Sequence, residues 1–435
     1  MRIINNKKLL KLIQFRYDLS GIRRVSDFLT SRETFNFSPL PNGLFPAAIL
    51  GTETEYTGYA NVWVRDNIFL AYSHYFADQT GAAAKTLNCL AAYFKKHKGR
   101  FEGIIEGTAD PQNGMERPHI RFDGRSLDEI DQEWNHAQND ALGYFLWFYC
   151  RLAREKLLKP QPDDLQTLAL FPHYFQAICY WKDEDSGHWE EDGKIEASSI
   201  GPVIAGLKQL KLLLTDTRLA SLCRHRGKPV AAEFLDELIE RGTASLTSTL
   251  PSECIQPAPR QRRYDAALLF LIHPLHVVED EMADQILKDV IDNLQGDYGI
   301  SRYLGDSFWC RDYKDIPEEI RTTVSGKREQ RFKENGRELK KGEEAQWCIF
   351  DPIVSAIFGL RFQKTRQKEY RERQTHHLNR SLGQLTGEDC PFGEFKCPEL
   401  YYLQNGRYVP NDATPLLWAQ ANLRIALKMM EQSLK

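Results

Sequence analysis

The stretch "DEMADQILKDVIDNLQG", Asp280 to Gly296, decides the fold class. Met282, Ile286, Val290 and Leu294 recur every four positions, with Leu287 and Ile291 beside them. That spacing puts one apolar stripe on a helix and leaves the acids and Lys288 outward. Gly296 is placed to stop the helix as a C-terminal cap. Working outward, "ASSIGPVIAGLKQLKLLL" (197–214) repeats the pattern through Ile200, Ile204, Leu207 and Leu210. "DPIVSAIFGL" (351–360) predicts a helix with Asp351 as N-cap and Pro352 in the first helical position. Further helical stretches run near 63–79, 81–98, 137–156, 163–181, 229–249, 364–382 and 412–432. Strand-like alternation is rare and short. About a dozen evenly spaced helices with no Pro/Gly/Ser linker predict one closed helical array.

Composition narrows the function classes. The chain has 435 residues, 42% apolar and 27% charged, with a formal net charge of -3. These values fit a globular protein, and without a polybasic tract they argue against nucleic acid as a partner. No apolar run reaches the length of a membrane span. The start, "MRIINNKKLLKLIQFRY", lacks the uninterrupted apolar core of a secretory signal and reads as a docked or frayed terminal helix. Nine scattered cysteines without a CxxC motif argue against a zinc site or a dense disulfide framework, and favour a reducing cytoplasm. Residues 314–344 are dense in Lys, Arg and Glu ("SGKREQRFKENGRELKKGEE") and read as a solvated loop.

Chemistry-bearing residues appear where polar and aromatic side chains interrupt the helical pattern. "NVWVRDN" holds Trp63, Arg65 and Asp66, a ring for stacking with a fork and a carboxylate for hydroxyls. A helix-capping Asp66 in a structural salt bridge is the alternative reading. "EWNHAQNDALG" packs Trp134, His136, Gln138 and Asp140 ahead of an apolar helix, where Asp140 could equally be a cap. "SGHWEEDG" (186–193) sets Trp189 beside Glu190 and Glu191, between turn formers. "GISRYLGDSF" offers Arg302 and Tyr303, and "CPELYYLQNG" offers Glu399.

The ordered set Trp63-x-Arg65-Asp66, Trp134-x-x-x-Gln138-x-Asp140, Trp189-Glu190-Glu191, Arg302-Tyr303 and Trp347 resembles glycoside hydrolase family 15, the glucoamylases, over about residues 45 to 430. "YANVWVRDNIF", "YDAALLFLIHPLHVVED", "LQGDYGISRYLGD", "CPELYYL" and "PLLWAQANLRIAL" are more similar still to the amino-terminal glucoamylase-like domain of phosphorylase kinase alpha and beta subunits. No protein-kinase motif is present. The resemblance implies an all-α (α/α)6 toroid at 45–435, after an N-terminal extension at 1–44. It implies Glu190 as general acid and Glu399 as general base of an inverting, exo-acting hydrolase of α-glucans or malto- and isomalto-oligosaccharides. Trp63, Arg65, Asp66, Trp134, Gln138, Asp140, Trp189, Glu191, Arg302, Tyr303 and Trp347 would then bind substrate. It implies neither metal nor cofactor. The surroundings of Glu399, Pro398-Glu399-Leu400-Tyr401-Tyr402, depart from the hydrolytic pattern towards the kinase-subunit branch. A non-catalytic, glucan-binding regulatory domain is therefore the alternative.

Overall fold

The computed structural model describes residues 3–49, 58–317, 321, 325–337 and 339–435. Its helices, in chain order, begin with α1 Leu19–Ser31, α2 Val64–Phe76, α3 Thr80–Lys96, α4 Gly99–Glu106 and α5 Asn139–Arg154. Next come α6 Pro162–Ala177, α7 Ala197–Leu213, α8 Thr217–Leu222, α9 Ala232–Thr249 and α10 Leu269–Ile272. The last are α11 Asp280–Leu294, α12 Ser325–Glu334, α13 Phe350–Thr365, α14 Lys368–Gly383 and α15 Leu417–Ser433.

Six of them close a ring. α2 packs on α5, α5 on α7, α7 on α10, α10 on α13, α13 on α15, and α15 returns to α2. α1, α3, α6, α9, α11 and α14 lie outside it, so the chain alternates outer and inner helices six times: an (α/α)6 toroid. Apolar residues all round the inner helices explain their position, because such helices have no face to turn to water. In α5 every residue from Asn139 to Cys150 is buried. The ring is tight where glycine allows it. A Cβ at Gly143 would lie 2.4 Å from the Pro202 carbonyl carbon of α7. On the ring axis, rings from four inner helices form an aromatic plug. Phe69 and Trp418 are 4.9 Å apart, Phe69 and Phe270 5.1 Å, and Phe270 and Phe350 6.1 Å.

Most connections from an inner to the following outer helix are short, as at 77–79 and 366–367. Outer-to-inner connections are long and carry the short strands. β1 Val62–Trp63, β2 Arg121–Asp123 and β3 Asp128–Glu129 form one antiparallel sheet. β4 Arg224–His225 and β5 Lys228–Pro229 form a hairpin on the other side of the ring, between α8 and α9. β6 Gln346–Trp347, β7 Leu400–Gln404 and β8 Arg407–Pro410 form a third antiparallel sheet.

The 1–44 extension is docked: α1 buries Ile22, Val25 and Leu29, packs on α15 and completes the outer layer. Three local expectations change. Gly296 is not a left-handed cap, since α11 ends at Leu294 with Gln295 extended. A Cβ at Gly296 would instead meet the Gln346 side chain. Asp351 is the second residue of α13 rather than its cap, and its carboxylate accepts from His377, Arg380 and Gln384. The charged stretch 314–344 holds α12, whose neighbourhood buries Arg328 and Phe332; residues 318–320, 322–324 and 338 of that stretch lie outside the described ones. Among the described residues no helix is long and apolar enough to cross a membrane.

Candidate active site

The long connections meet over the N-terminal ends of the inner helices and enclose a cavity of about 590 Å³ above the aromatic plug. Helix N-termini favour negative charge, so this end of the ring suits carboxylates. Trp63, Arg65, Asp66, Trp134, Trp189, Glu190, Arg302, Trp347 and Glu399 all line it. They arrive from separate segments, laced together by strand pairing. Trp63 pairs with Arg121, and Trp347 with Leu400. Ile300 bridges Trp347, which brings Arg302 to the same wall. The Cys348 amide donates to the Glu399 carbonyl at 2.9 Å, fixing that carboxylate beside Trp347.

"SGHWEEDG" proves to be a turn and a buried one. The Asp185–Lys194 bridge closes its base, and the Glu191 amide donates to Ser186 O at 3.0 Å. Gly187 has a positive φ, and a Cβ there would collide with the Glu196 carboxylate. Glu190 also has a left-handed backbone, at φ 59°, a conformation that costs a non-glycine residue of order 1 kcal/mol or more. Asn135 holds it there by donating to the Glu190 carbonyl at 2.9 Å. The turn sends Glu190 into the cavity and Glu191 behind the wall.

The two cavity carboxylates have separate partners. Trp63 Nε1 donates to Glu190 Oε1 at 2.8 Å. Tyr59 OH donates to Glu399 Oε1 at 2.7 Å, and Asn411 Nδ2 donates to Oε2. The Tyr59 and Trp63 rings are themselves neighbours, 5.6 Å apart. Burial raises the pKa of Glu190, with Arg65 opposing. Burial pushes Glu399 up to about 7 against the pull of its two donors, with Glu190 adding to the rise. Asp66 also rises to about 7, chiefly through burial, with Arg65 opposing.

Four expected contacts fall behind the wall instead of on it. Asp140 lies fully buried under Arg65, accepting from its Nε at 2.6 Å, and Gln138 accepts from Arg65 Nη2 at 2.7 Å. A bare guanidinium could not be held at that depth, so both serve to aim Arg65. Glu191 accepts from Arg262 at 2.7 Å, from Lys194 at 3.1 Å and from the Tyr303 hydroxyl. Those charges hold its pKa well below the usual carboxylate range despite burial. Arg302 is clamped by Asp306 through two bonds of 2.7 Å, and its guanidinium lies 4.9 Å from the Trp347 ring centre. Trp189 donates to Asp265 at 3.0 Å.

Sequence reasoning did not single out Tyr59, Arg121, Arg262, Asn411 or Trp418. Arg121 stacks under Trp134 at 4.1 Å and Trp63 at 5.1 Å, fixing both rings. Tyr59 stands four residues before Trp63 in a motif already noted, which is a usable signal. Arg262 sits in "PRQRRYD", where nothing distinguishes the buried arginine from its neighbours. Among the described residues no cluster of three His, Cys, Asp or Glu side chains could hold a metal.

With this ring and site, the chain belongs to the glycosyl hydrolases family 15, whose model matches residues 37–339. It is similar to the probable phosphorylase b kinase regulatory subunit alpha of Caenorhabditis elegans, at 26% identity over 86% of this chain. The chain spans about a third of that relative's length, 31%. Among solved structures, the glucoamylase of Saccharomycopsis fibuligera superposes with a TM-score of 0.62, at 12% identity and 97% coverage of both chains. A glycosidase variant in complex with glucose superposes at 0.65, with 17% identity, covering 96% of this chain and 98% of that one. Both share the fold.

Proposed function

We propose that the protein is an inverting, exo-acting glycosidase that releases β-glucose from the non-reducing ends of α-glucans or malto- and isomalto-oligosaccharides. The observation that carries this reading is a pair of buried carboxylates in one aromatic cavity, each held by one member of the Tyr59–Trp63 pair. The glucose named with the glycosidase neighbour supports a glucosyl unit as the occupant.

Glu190 acts as general acid, because burial favours its protonated form and Trp63 orients one oxygen. Its proton goes to the glycosidic oxygen as the C1–O bond breaks. Glu399 acts as general base. Tyr59 and Asn411 both donate to it against the burial that lifts its pKa to about 7, so above that pH it is ionised and takes a proton from water. That water attacks C1 from the face opposite the leaving group, so the anomeric configuration inverts. Arg65 and Asp66 grip the hydroxyls of the terminal glucosyl unit, and Trp134 and Trp347 stack on it. The Nε1 groups of Trp134 and Trp347 are enclosed and have no acceptor among the described residues. The nine cysteines, all unpaired, suit a reducing compartment.

A second reading, a glucan-binding regulatory domain without turnover, is favoured by the kinase-subunit relatives. Proton NMR of maltotriose digestion separates the two. Early β-glucose supports inversion. Early α-glucose means double displacement, and binding without glucose release from pH 4 to 8 favours the regulatory reading.

A further inference from the structure

Between Lys7 and Arg24 the chain places six cations against one acid, Asp18, although its formal net charge is -3. The stretch is firmly seated. Asn6 Nδ2 donates to Thr386 O at 3.0 Å, Asn379 Nδ2 to Gln14 O at 2.8 Å, and Tyr17 OH to Asn379 Oδ1 at 2.7 Å. Leu9 and Tyr17 turn inward and are buried. Phe15, between the anchors at Gln14 and Tyr17, turns outward and is 98% exposed; Leu10 is 55% exposed. A Cβ at Gly21 would lie 3.1 Å from Gln14 Oε1, so this turn abuts the start of α1. On the same stretch Lys7, Lys11, Arg23 and Arg24 are exposed and form no ion pair among the described residues. Lys8 and Arg16 are engaged, with Glu394 at 2.8 Å and Glu372 at 3.6 Å.

A single exposed apolar side chain needs no explanation. An aromatic ring held in water by fixed neighbours, with a second apolar tip and four unpaired cations on the same stretch, matches the boundary between lipid headgroups and acyl chains. We propose that residues 7–24 form a peripheral docking surface for a bilayer that contains anionic phospholipid. Phe15 and Leu10 enter the acyl boundary, and Lys7, Lys11, Arg23 and Arg24 meet the headgroup phosphates. Charge complementarity selects this occupant. Two copies of the chain would set one basic face against another. A protein partner needs a contiguous apolar core, whereas Leu10 and Phe15 are separate tips with Lys11 between them in the chain. A nucleic-acid strand would use the cations and the Phe15 ring but gain nothing from Leu10. The surface stands independently of the hydrolytic reading.

The test is co-sedimentation of the full chain with vesicles of phosphatidylcholine alone and of phosphatidylcholine mixed with phosphatidylserine. At low salt, partition onto the mixed vesicles should be about tenfold stronger or more, and the advantage should vanish in about 0.5 M salt, where screening is strong. Lys7→Gln combined with Lys11→Gln should weaken partition about tenfold or more, since each cation near such a surface is worth roughly fivefold. Phe15→Ser should weaken it by about fivefold or more. The Phe15 side chain is almost wholly in water, so its loss should leave the melting temperature unchanged and separate loss of docking from loss of fold. No partition onto either vesicle, equal partition onto both, or mixed-vesicle binding unchanged in both variants overturns the proposal. Binding to a single-stranded oligonucleotide but not to vesicles, lost in Phe15→Ser, also overturns it and assigns the surface to nucleic acid. Maltotriose turnover should be unchanged in every variant, so failure here leaves hydrolysis standing.

Discussion

The turn that carries Glu190 is backed by ion pairs, whereas the donors that hold the Glu399 carboxylate itself are neutral. Behind Glu190, Glu191, Lys194, Glu196, Arg262 and Asp265 form a buried chain of ion pairs. Around Glu399 stand Tyr59 and Asn411, with the β7–β8 hairpin supplying the backbone frame. Buried charge pairs hold geometry firmly, because breaking one strands the other. Neutral donors shift a proton affinity without adding a counter-charge. One wall is therefore fixed in position and the other is tuned in acidity.

The largest expected effect comes from the charged wall's own cavity residue. Glu190→Gln should lower kcat on maltotriose by ~10²–10⁴-fold and leave KM nearly unchanged, as loss of a general acid does. A loss below tenfold would assign the acid elsewhere. Next, Arg262→Met takes a cationic partner from both Glu191 and Asp265. Urea denaturation should show a loss of about 3–5 kcal/mol, and a loss under about 1 kcal/mol would mean the wall is not held by charge. On the neutral wall, Tyr59→Phe removes a donor that favours ionised Glu399. Its pKa should climb from about 7, so the ascending limb of kcat/KM should move to higher pH. Movement to lower pH would overturn the base assignment. Smallest is Arg260→Ala, two residues from Arg262. Arg260 pairs with Glu184 at an exposed site, with side chains 45% and 39% accessible. Urea denaturation should register less than about 1 kcal/mol.

The same contrast explains what was legible in the sequence. Helical periodicity in 280–294 and 197–213 follows from local spacing, and the all-α class follows with it. Residues read from compact motifs, such as Trp63, Arg65, Asp66 and Trp189-Glu190, share the cavity because each motif sits at or ahead of the start of an inner helix. Depth was not legible. Asp140 and Glu191 differ from true lining residues only in which neighbour buries them, and those neighbours, Arg65 and Arg262, lie about seventy positions away. The charge of 314–344 hid α12, because Arg328 is buried through distant contacts with Ser307 and Phe308. The place of α1 in the outer layer was not legible because its partner, α15, lies nearly four hundred positions away.

That last pairing has a bearing on biosynthesis. The ring closes only where α15 meets α2 and α1, a contact between the two ends of the chain. Loop closure over such a separation is entropically demanding and slow relative to helix formation. While a ribosome is still translating the segment before Leu417, α2 lacks one of its two inner neighbours, and the apolar residues that α15 covers remain open. Glu190, Trp347 and Glu399 all precede α15 in the chain, so a nascent chain holds both carboxylates as an open horseshoe before it becomes a ring.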